Sequence, residues 1–459
     1  MNSISPGHSS SWRCFAGAVL VVLSLSAGAQ SPGGLPPQPD YKGEIRRGPD
    51  GKLFADPEPR IIETAPLLEA AQPAMPRVAP VVTAPAASAP PQVKAPSKPM
   101  TLVVGRGERI ATLTEAARQA RDGDTIEIKP GEYRGQPAVW TQHDLTIRGV
   151  GKRPVMVADN ALAEDKGIWV VRGERIKIEN VEFRGARASD MNGAGIRFDK
   201  GSLSVLRCAF FDNEMGILTA NNAEMSLAVI DSEFGDSPKT SNDFHHQLYV
   251  GRIGRLVLRG SRFTNGFYGH LVKSRARESQ ILYNMIVDGP QGHASYEIDL
   301  PNGGVVYLVG NVIGQGPESE NPAIIAYGSE GLAWNQNAVY LAHNTLINDA
   351  PRANFLAIRS NRGPEAVEVW AINNLLVGNG DFNRPAKGRF EGNQTVARNV
   401  LIEQGGVPSR LPPQSPLRGS VRVPGQAGNF DLMPSAEFVY PAGTKAITAS
   451  ARLSPGAFQ

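Results

Sequence analysis

A short pattern recurs along this chain and restricts the folds that it can adopt. One equivalent position in each unit is followed two places later by an apolar residue, and successive copies lie from 23 residues apart (Ser261 to Asn284) to 33 residues apart (Asn311 to Asn344). A unit this small cannot bury its apolar face alone, so successive units must stack. The aligned positions are Val150, Val181, Cys208, Ser232, Ser261, Asn284, Asn311, Asn344, Asn374 and Asn399, and the apolar residues that follow are Phe183, Phe210, Phe234, Phe263, Ile286, Ile313, Leu346, Leu376 and Leu401.

The repeat predicts an all-β fold, a right-handed parallel β-helix that runs from Val103 to about Leu401 in roughly ten coils. A propeller requires longer units of four antiparallel strands, and a leucine-rich repeat requires a tighter pattern dominated by leucine. Successive coils of a β-helix lie ~4.8 Å apart, so the aligned Asn residues can hydrogen-bond to one another and to the turns. We therefore interpret this column as structural, and Cys208 within it as a buried, inert thiol.

The two ends of the chain differ in composition from the repeat region. Residues 1–29 combine Arg13, an apolar run from Ala16 to Leu25 and AlaGlyAla before Gln30, which is the pattern of a signal peptide. Residues 30–100 are rich in Pro and Ala and are expected to form a disordered linker. We expect the β-helix over residues 101–404, followed by an extended tail over residues 405–459 that runs back along the solenoid and caps it.

A short helix is predicted at the start of the β-helix. ThrLeuThrGlu (112–115) is a capping-box pattern, which places a helix over Leu113 to Arg121. GlyAspThrIleGluIle (123–128) then predicts a turn and an alternating strand, and LysProGlyGluTyr (129–133) predicts a second turn. We expect this helix to cover the N-terminal end of the solenoid.

These residues carry a resemblance to a known fold family. A short helix, then GDTIEIKPGEY (123–133), then coils of this pattern resemble the pectin-lyase-like superfamily of right-handed parallel β-helix proteins. The resemblance covers roughly residues 101–405. It implies the fold and says little about function, because one fold supports many activities.

The stretch from His245 to Gly304 holds an unusual set of polar residues around three predicted strands. From Phe244 to Arg277 there is no Asp or Glu, although there are six Arg and one Lys. Alignment of the coils places the polar residues on three successive coils of one sheet, and charged side chains are expected to point outward because burying an unpaired charge is costly. The candidate catalytic residues are Lys273, Arg275, His270, Glu297 and Asp299, and the candidate substrate-binding residues are His245, His246, Tyr249, Tyr296, Asn302 and Tyr327.

One hypothesis for this stretch is lyase chemistry on a polyuronate, which needs a cation, a base and an acid within a few ångströms. GHLVKSRARESQILYN (269–284) resembles the Lys-Ser motif of the alginate and dermatan lyases of polysaccharide lyase family 6. The resemblance implies that Lys273 is the proton abstractor. Arg275 or His270 would serve as the acid, because the family's Arg-His-Gly motif has no counterpart on the next coil. The family's cofactor is Ca²⁺, but its calcium-binding glutamates have no counterpart in PheTyrGlyHis (267–270), and no other metal or cofactor is predicted.

Two other hypotheses remain open. Glu297 and Asp299 could be the paired carboxylates of a glycosidase, which lie ~6.5–9.5 Å apart in inverting enzymes, or they could form ion pairs with Lys273 and Arg275. The chain could also be a non-catalytic β-helix that binds a glycan or the cell envelope. As a catalytic base, Lys273 must be partly exposed and near another cation, whereas a structural lysine would be tied to Glu297 or Asp299.

The charge balance limits the partners. A net charge of +3 is close to balanced, so nucleic acid is not expected as a partner. After signal cleavage no stretch is long and apolar enough to span a bilayer. We therefore expect an exported monomer, periplasmic or secreted, that acts on an acidic polysaccharide by β-elimination or C5 epimerisation.

Overall fold

The computed structural model describes residues 98–239, 244–351, 354–360, 362–385, 387–448 and 452–459. It also describes an antiparallel strand pair, Ile45–Arg47 with Leu53–Ala55, within the region predicted as linker. The predicted signal peptide and the remainder of that linker lie outside the described residues. In the part of the chain that is described, no helix is long and apolar enough to cross a membrane.

Three parallel sheets build the repeat region, and the chain visits each sheet once per coil. Neighbouring strands in a sheet come from successive coils and pair in parallel. The result is a parallel β-helix of about ten coils, as the repeat predicts. The first sheet consists of Thr101–Val104, Thr125–Ile128, Thr146–Gly149, Ile176–Glu179, Ser202–Leu206, Ser226–Ile230, Arg255–Arg259, Glu278–Leu282, Val305–Val309, Ala338–Ala342, Glu368–Ile372 and Arg389–Glu391.

The second and third sheets complete each coil. The second sheet follows the first after a tight turn, and the third is reached through loops of variable length. The second sheet consists of Glu132–Arg134, Val155–Val157, Glu182–Arg184, Ala209–Phe211, Glu233–Gly235, Arg262–Phe263, Met285–Val287, Val312–Gln315, Thr345–Asn348, Leu375–Val377 and Gln394–Val396. The third sheet consists of Ala138–Trp140, Gly167–Val171, Ala194–Phe198, Met215–Thr219, Leu248–Val250, Val272–Ser274, Ile298–Leu300, Ala323–Tyr327, Asn354–Ile358 and Asp381–Phe382.

The column of aligned Asn residues lies in the tight turn between the first and second sheets. The side-chain oxygen of Asn311 accepts hydrogen bonds from the backbone N and the Nδ2 of Asn284, at 2.9 and 3.0 Å. Asn344 does the same for Asn311, and Asn374 does the same for Asn344. Every amide therefore satisfies a backbone group of a neighbouring coil that would otherwise be buried without a partner. We call this column, which ends at Asn393, the Asn ladder.

Both ends of the predicted column are wrong. Asn374 bonds to Asn393 rather than to Asn399, which lies in the 3₁₀ helix Arg398–Val400. The last coil is only 19 residues long, shorter than any interval that the sequence alignment used. At the other end, Val150 is 43% exposed and does not occupy the aligned position, because Val155 pairs with Glu182 and Pro154 therefore lies opposite Val181.

Apolar residues fill the tube. Phe183, Phe210, Phe234 and Phe263 occupy equivalent positions in the second sheet, as the repeat predicts, and their rings stack with centroids 4.5–5.2 Å apart. The apolar column continues as predicted through Leu376, but Thr395 rather than Leu401 occupies the next position.

The predicted helix forms over Leu113–Gln119. The Thr112 hydroxyl accepts a hydrogen bond from the Glu115 backbone N at 3.2 Å, as in a capping box. The helix ends two residues before the predicted Arg121, because the Arg121 backbone N donates a hydrogen bond to the Asp124 carboxylate in the following turn. Its apolar side packs against the strands of the first coil.

The segment after the last coil folds back along the side of the solenoid. Its described residues form three antiparallel strand pairs. Another short 3₁₀ helix, Pro364–Ala366, lies within the β-helix, between the strands Asn354–Ile358 and Glu368–Ile372. Leu411, Phe438 and Phe458 pack on the outer face of the second sheet, against Val312 and Ile347 among others. The strand pairs are Ile402–Gln404 with Val407–Arg410, Gln426–Ala427 with Phe430–Asp431, and Ala436–Phe438 with Thr444–Ala446.

Candidate functional site

A row of polar residues runs across the outer face of the third sheet. The strand register pairs Tyr249 with Lys273, and Lys273 with Asp299, on three successive coils. Side chains alternate along a strand, so the apolar residues beside them face the core instead. These apolar residues are Leu248, Val272 and Ile298.

A second row lies at the start of the same strands and consists of His246, His270 and Tyr296. The rings stack, with centroids 4.8 Å apart for the two imidazoles and 5.0 Å apart for His270 and Tyr296. Each imidazole Nδ1 accepts a hydrogen bond from the backbone N of the next ring residue, at 2.9 Å and 3.3 Å. An Nδ1 that accepts leaves the ring proton on Nε2. In His270 this Nε2 lies 3.2 Å from an oxygen of Asp299.

Lys273 connects this row to two carboxylates. Its Nζ lies 3.6 Å from Asp299 Oδ2 and 3.4 Å from Glu330 Oε1. The side chains of Lys273, Asp299 and His270 have no exposed surface. A lysine that acts as a base is expected to be partly exposed, and a structural lysine is expected to be tied to Glu297 or Asp299. The arrangement of Lys273 meets the second condition. We call His270, Lys273, Arg275, Asp299 and Glu330 the charged cluster.

Arg275 is the most exposed member of the charged cluster, with 16% of its side chain exposed. Its guanidinium donates to the Tyr249 hydroxyl at 3.2 and 3.1 Å and to Asn302 Oδ1 at 2.8 Å. It also donates two hydrogen bonds to the Glu330 carboxylate. Burial disfavours the charge of Arg275, but Tyr249 and Glu330 outweigh that effect and raise its pKa.

Glu330 is the main residue that the sequence analysis missed. It lies in the loop that follows the third-sheet strand Ala323–Tyr327, one coil beyond Asp299. The same loop carries Trp334, whose Nε1 donates to the Arg275 carbonyl at 3.0 Å. Arg359, also missed, donates to the Tyr296 hydroxyl at 2.8 Å. The repeat gives no signal for Glu330, because the strand register pairs Asp299 with Ala326 and Glu330 lies beyond the end of that strand.

Glu297 lies apart from this hydrogen-bonded arrangement. It is fully buried, and neither carboxylate oxygen has a hydrogen-bond partner among the described residues. Burial, and then the neighbouring Asp288 carboxylate, raise the pKa of Glu297 well above its usual range. Burial also raises the pKa of Asp288 to about 6, although backbone N–H groups of Ala294 and Gly266 bond to it and act in the opposite direction. The carboxylates proposed for a glycosidase are therefore in different surroundings, Asp299 beside cations and Glu297 beside an acid.

The remaining candidate residues have mainly packing contacts. Tyr327 belongs to the buried core, where its hydroxyl donates to the Gly304 carbonyl at 2.6 Å. His245 is buried, and its carbonyl passes so close to Gly269 that a Cβ there would lie 1.9 Å from the oxygen. Only glycine therefore fits before His270.

A metal site does not emerge from these residues. Among the residues that the structure describes, no three His, Cys, Asp or Glu side chains are grouped so that they could hold a metal ion. In the charged cluster, Lys273 and Arg275 occupy the positions beside Asp299 and Glu330 where a cation would otherwise bind.

Solved structures place this architecture among known folds. The structure is similar to the crystal structure of pectate lyase Pel9A, with a TM-score of 0.55 and 14% sequence identity, over 80% of this chain and 97% of that chain. This chain has a pectin-lyase-like β-helix fold. At 14% identity the likeness concerns the pectin-lyase-like β-helix alone, and one such fold supports many activities.

Two further similarities are lower. An alginate lyase from Paenibacillus sp. str. FPU-7 has a TM-score of 0.37 and 14% identity, over 64% of this chain and 99% of that chain. An alginate lyase of polysaccharide lyase family 6, in complex with a trisaccharide, has a TM-score of 0.32 and 12% identity, over 66% of this chain and 86% of that chain. No protein-family model and no curated protein sequence matches the chain.

Proposed function

We propose that this protein acts on an acidic polysaccharide that binds across the outer face of the third sheet, by β-elimination or C5 epimerisation. The observation that carries the proposal is the charged cluster, five ionisable side chains from three successive coils that meet at the outer face of the third sheet. Both reactions need a cation at the sugar carboxylate, a base for the C5 proton and a proton donor within a few ångströms. The cluster contains all three kinds of group.

The roles follow from exposure and bonding. Arg275 is partly exposed and is suited to bind the sugar carboxylate in a bidentate manner. Lys273 is the proposed base, and His270, with its proton on Nε2, is the proposed acid, because arginine does not deprotonate in proteins and Arg275 cannot serve as one. Because Lys273 is fully buried and paired to Glu330, it can meet substrate only when the Glu330 side chain moves aside.

The second candidate function is a non-catalytic module that binds an acidic glycan or the cell envelope. The observation that favours it is the full burial of Lys273 and Asp299, since a buried ion pair is often structural. On either function we propose a periplasmic or secreted location, which rests on the composition of residues 1–29.

Screening the purified protein against polyuronates and sulfated glycans tests the proposal. Products with an unsaturated sugar end group indicate a lyase, exchange of the C5 proton with solvent indicates an epimerase, and binding without either indicates the module. New reducing ends without unsaturation would contradict all of these functions.

Lys273→Arg is the sharpest variant once a substrate is found. Arginine keeps the positive charge that Asp299 and Glu330 require, but it cannot act as a base because it does not deprotonate in proteins. We expect turnover to fall by about 10²-fold or more while the melting temperature stays near that of the wild type. Lys273→Ala, the comparison variant, should also lose stability, by about 3–5 kcal/mol, because it leaves the buried Asp299 carboxylate without a cation. Full activity in Lys273→Arg would eliminate Lys273 as the base.

A further inference from the structure

Glu330 presents its carboxylate to two cations at once. Nη1 and Nη2 of Arg275 each donate to one of its oxygens, and the Nη2 bond is 2.8 Å long. Lys273 Nζ lies 3.4 Å from Oε1. Two parallel N–H···O bonds are the geometry in which arginine recognises a free carboxylate. Arg275 therefore forms a carboxylate-binding site beside Lys273, and a side chain of the protein fills it.

The two cations are held in place by other groups as well. The Tyr249 hydroxyl accepts two hydrogen bonds from Arg275, and Asn302 Oδ1 accepts a third. Lys273 pairs with Asp299 and lies 5.4 Å from the centre of the Tyr249 ring. The site thus keeps its shape when the Glu330 carboxylate leaves.

The backbone around Glu330 is fixed independently of its carboxylate. The Glu330 N donates to the Pro301 carbonyl at 2.9 Å, and the Ala333 N donates to the Asn302 carbonyl at the same distance. Trp334 adds its bond to the Arg275 carbonyl. Rotation of one side chain is enough to vacate the site, and such changes are common when a ligand binds.

We propose that Arg275 binds the carboxylate of a uronic acid residue, next to Lys273, and that Glu330 is an internal competitor that occupies this site until the sugar displaces it. The inference rests on the proposed function for the choice of sugar, and it names the subsite and the group recognised there. Glu330 lowers the apparent affinity of the wild type, because only the fraction of molecules with the site vacated can bind. Displacement of Glu330 also uncovers Lys273.

Glu330→Ala in the full-length protein tests this proposal, with galacturonate as the probe and the neutral sugar galactose as the matched ligand at equal ionic strength. Without a sugar acid, we expect a lower melting temperature than that of the wild type. At ten times its Kd, galacturonate should raise the melting temperature of this variant by about 2 °C or more. Galactose should have no effect, and Arg275→Ala in addition to Glu330→Ala should abolish the response.

Glu437→Ala is the matched control. Glu437 also has a 6% exposed side chain, bonds to Arg410 at 2.7 Å and lies near Lys445. It lies in the strand Ala436–Phe438 of the final segment, which packs on the second sheet and not on the third. This variant should lose stability without a response to galacturonate. An equal response in both variants, or none in Glu330→Ala, overturns the proposal.

Glu330→Gln provides a second test if Glu330→Ala folds poorly. Glutamine keeps the size of the side chain and loses the charge, so titration calorimetry should give galacturonate binding about tenfold tighter than in the wild type. Weaker binding than in the wild type overturns the proposal. Neither measurement needs turnover. If galacturonate binds to the Glu330 variants but the protein has no activity on any polyuronate, the proposed catalytic function is wrong and the proposed carboxylate subsite is still supported.

Discussion

At the scale of single residues, Asp288 and Glu297 bring two buried acids together where the chain passes from the second sheet to the third. Burial disfavours the charged form of each carboxylate and therefore raises the pKa of both groups. Asp288 accepts two backbone hydrogen bonds, so it holds a turn beside the charged cluster. The protein therefore carries a site of pH-dependent stability close to its candidate functional site.

Asp288→Asn should change how stability depends on pH. The pKa of Asp288 is about 6 in the folded chain and 3.8 in the reference state, so the folded protein binds more protons between these values. Its contribution to stability is full below about pH 4 and is lost as pH rises to 6, by about 3 kcal/mol. Urea unfolding of both proteins should give a wild-type advantage over Asp288→Asn that shrinks across this window. A difference that is constant with pH would contradict the assignment.

At the scale of elements, the Asn ladder fixes the turn between the first and second sheets from Asn284 onward. Asn311 lies in its interior and serves two coils, whereas Asn393 ends it and serves one. In the earlier coils, Ser261 and Ser232 take the same position with one hydroxyl each. The position is therefore defined by its hydrogen bonds rather than by one residue type.

Asn311→Ala should be more destabilising than Asn393→Ala. Asn311→Ala removes the acceptor for the buried Asn284 N–H and the donor to the Ile281 carbonyl, which together cost about 3 kcal/mol. Asn393 makes the equivalent bonds to the Asn374 N–H and the Ala371 carbonyl, but it is partly buried, so water can replace these bonds and we expect about 1 kcal/mol for its loss. Denaturant unfolding of the two variants measures the difference. Equal losses would mean that the ladder does not distinguish interior from end coils.

The final segment is fastened to the solenoid through His343. Its Nδ1 lies 3.0 Å from the Ser454 carbonyl, and its Nε2 lies 3.0 Å from Asn373 Nδ2. Burial lowers the pKa of His343 to about 4. The neutral ring thus joins Ser454, near the end of the chain, to Asn373, the residue before the Asn ladder residue Asn374.

Acidification should loosen this attachment. The folded pKa of His343 is below its reference value of 6.5, so its contribution is full above pH 6.5 and is lost as pH falls to about 4, by about 3 kcal/mol. His343→Gln, which does not titrate, should lack this part of the pH dependence in urea unfolding. Parallel pH profiles for the two proteins would show that His343 is not the group that titrates.

At the scale of the whole molecule, alignment of the coils predicts which strand residues are neighbours. It does not predict the positions of residues in loops, at bends or in the last coil. Residues at equal positions on successive coils are neighbours, so sequence intervals alone bring Lys273 beside Asp299. Glu330 lies in a loop of a coil whose length the repeat does not fix, and Glu297 lies at a bend where the alternation of inward and outward side chains breaks down. The last coil was misplaced because its 19 residues fall outside the range of the other intervals.

The Asn ladder also bears on how such a chain can change its length over evolutionary time. Each amide bonds only to its own coil and the adjacent ones, and these contacts are the same whether the coil has 23 or 33 residues. Duplication or loss of a whole unit would therefore leave every remaining junction intact, whereas a partial unit would break one. Loops can lengthen between fixed junctions at little cost. New recognition surfaces can thus arise in one coil without any compensating change in the others.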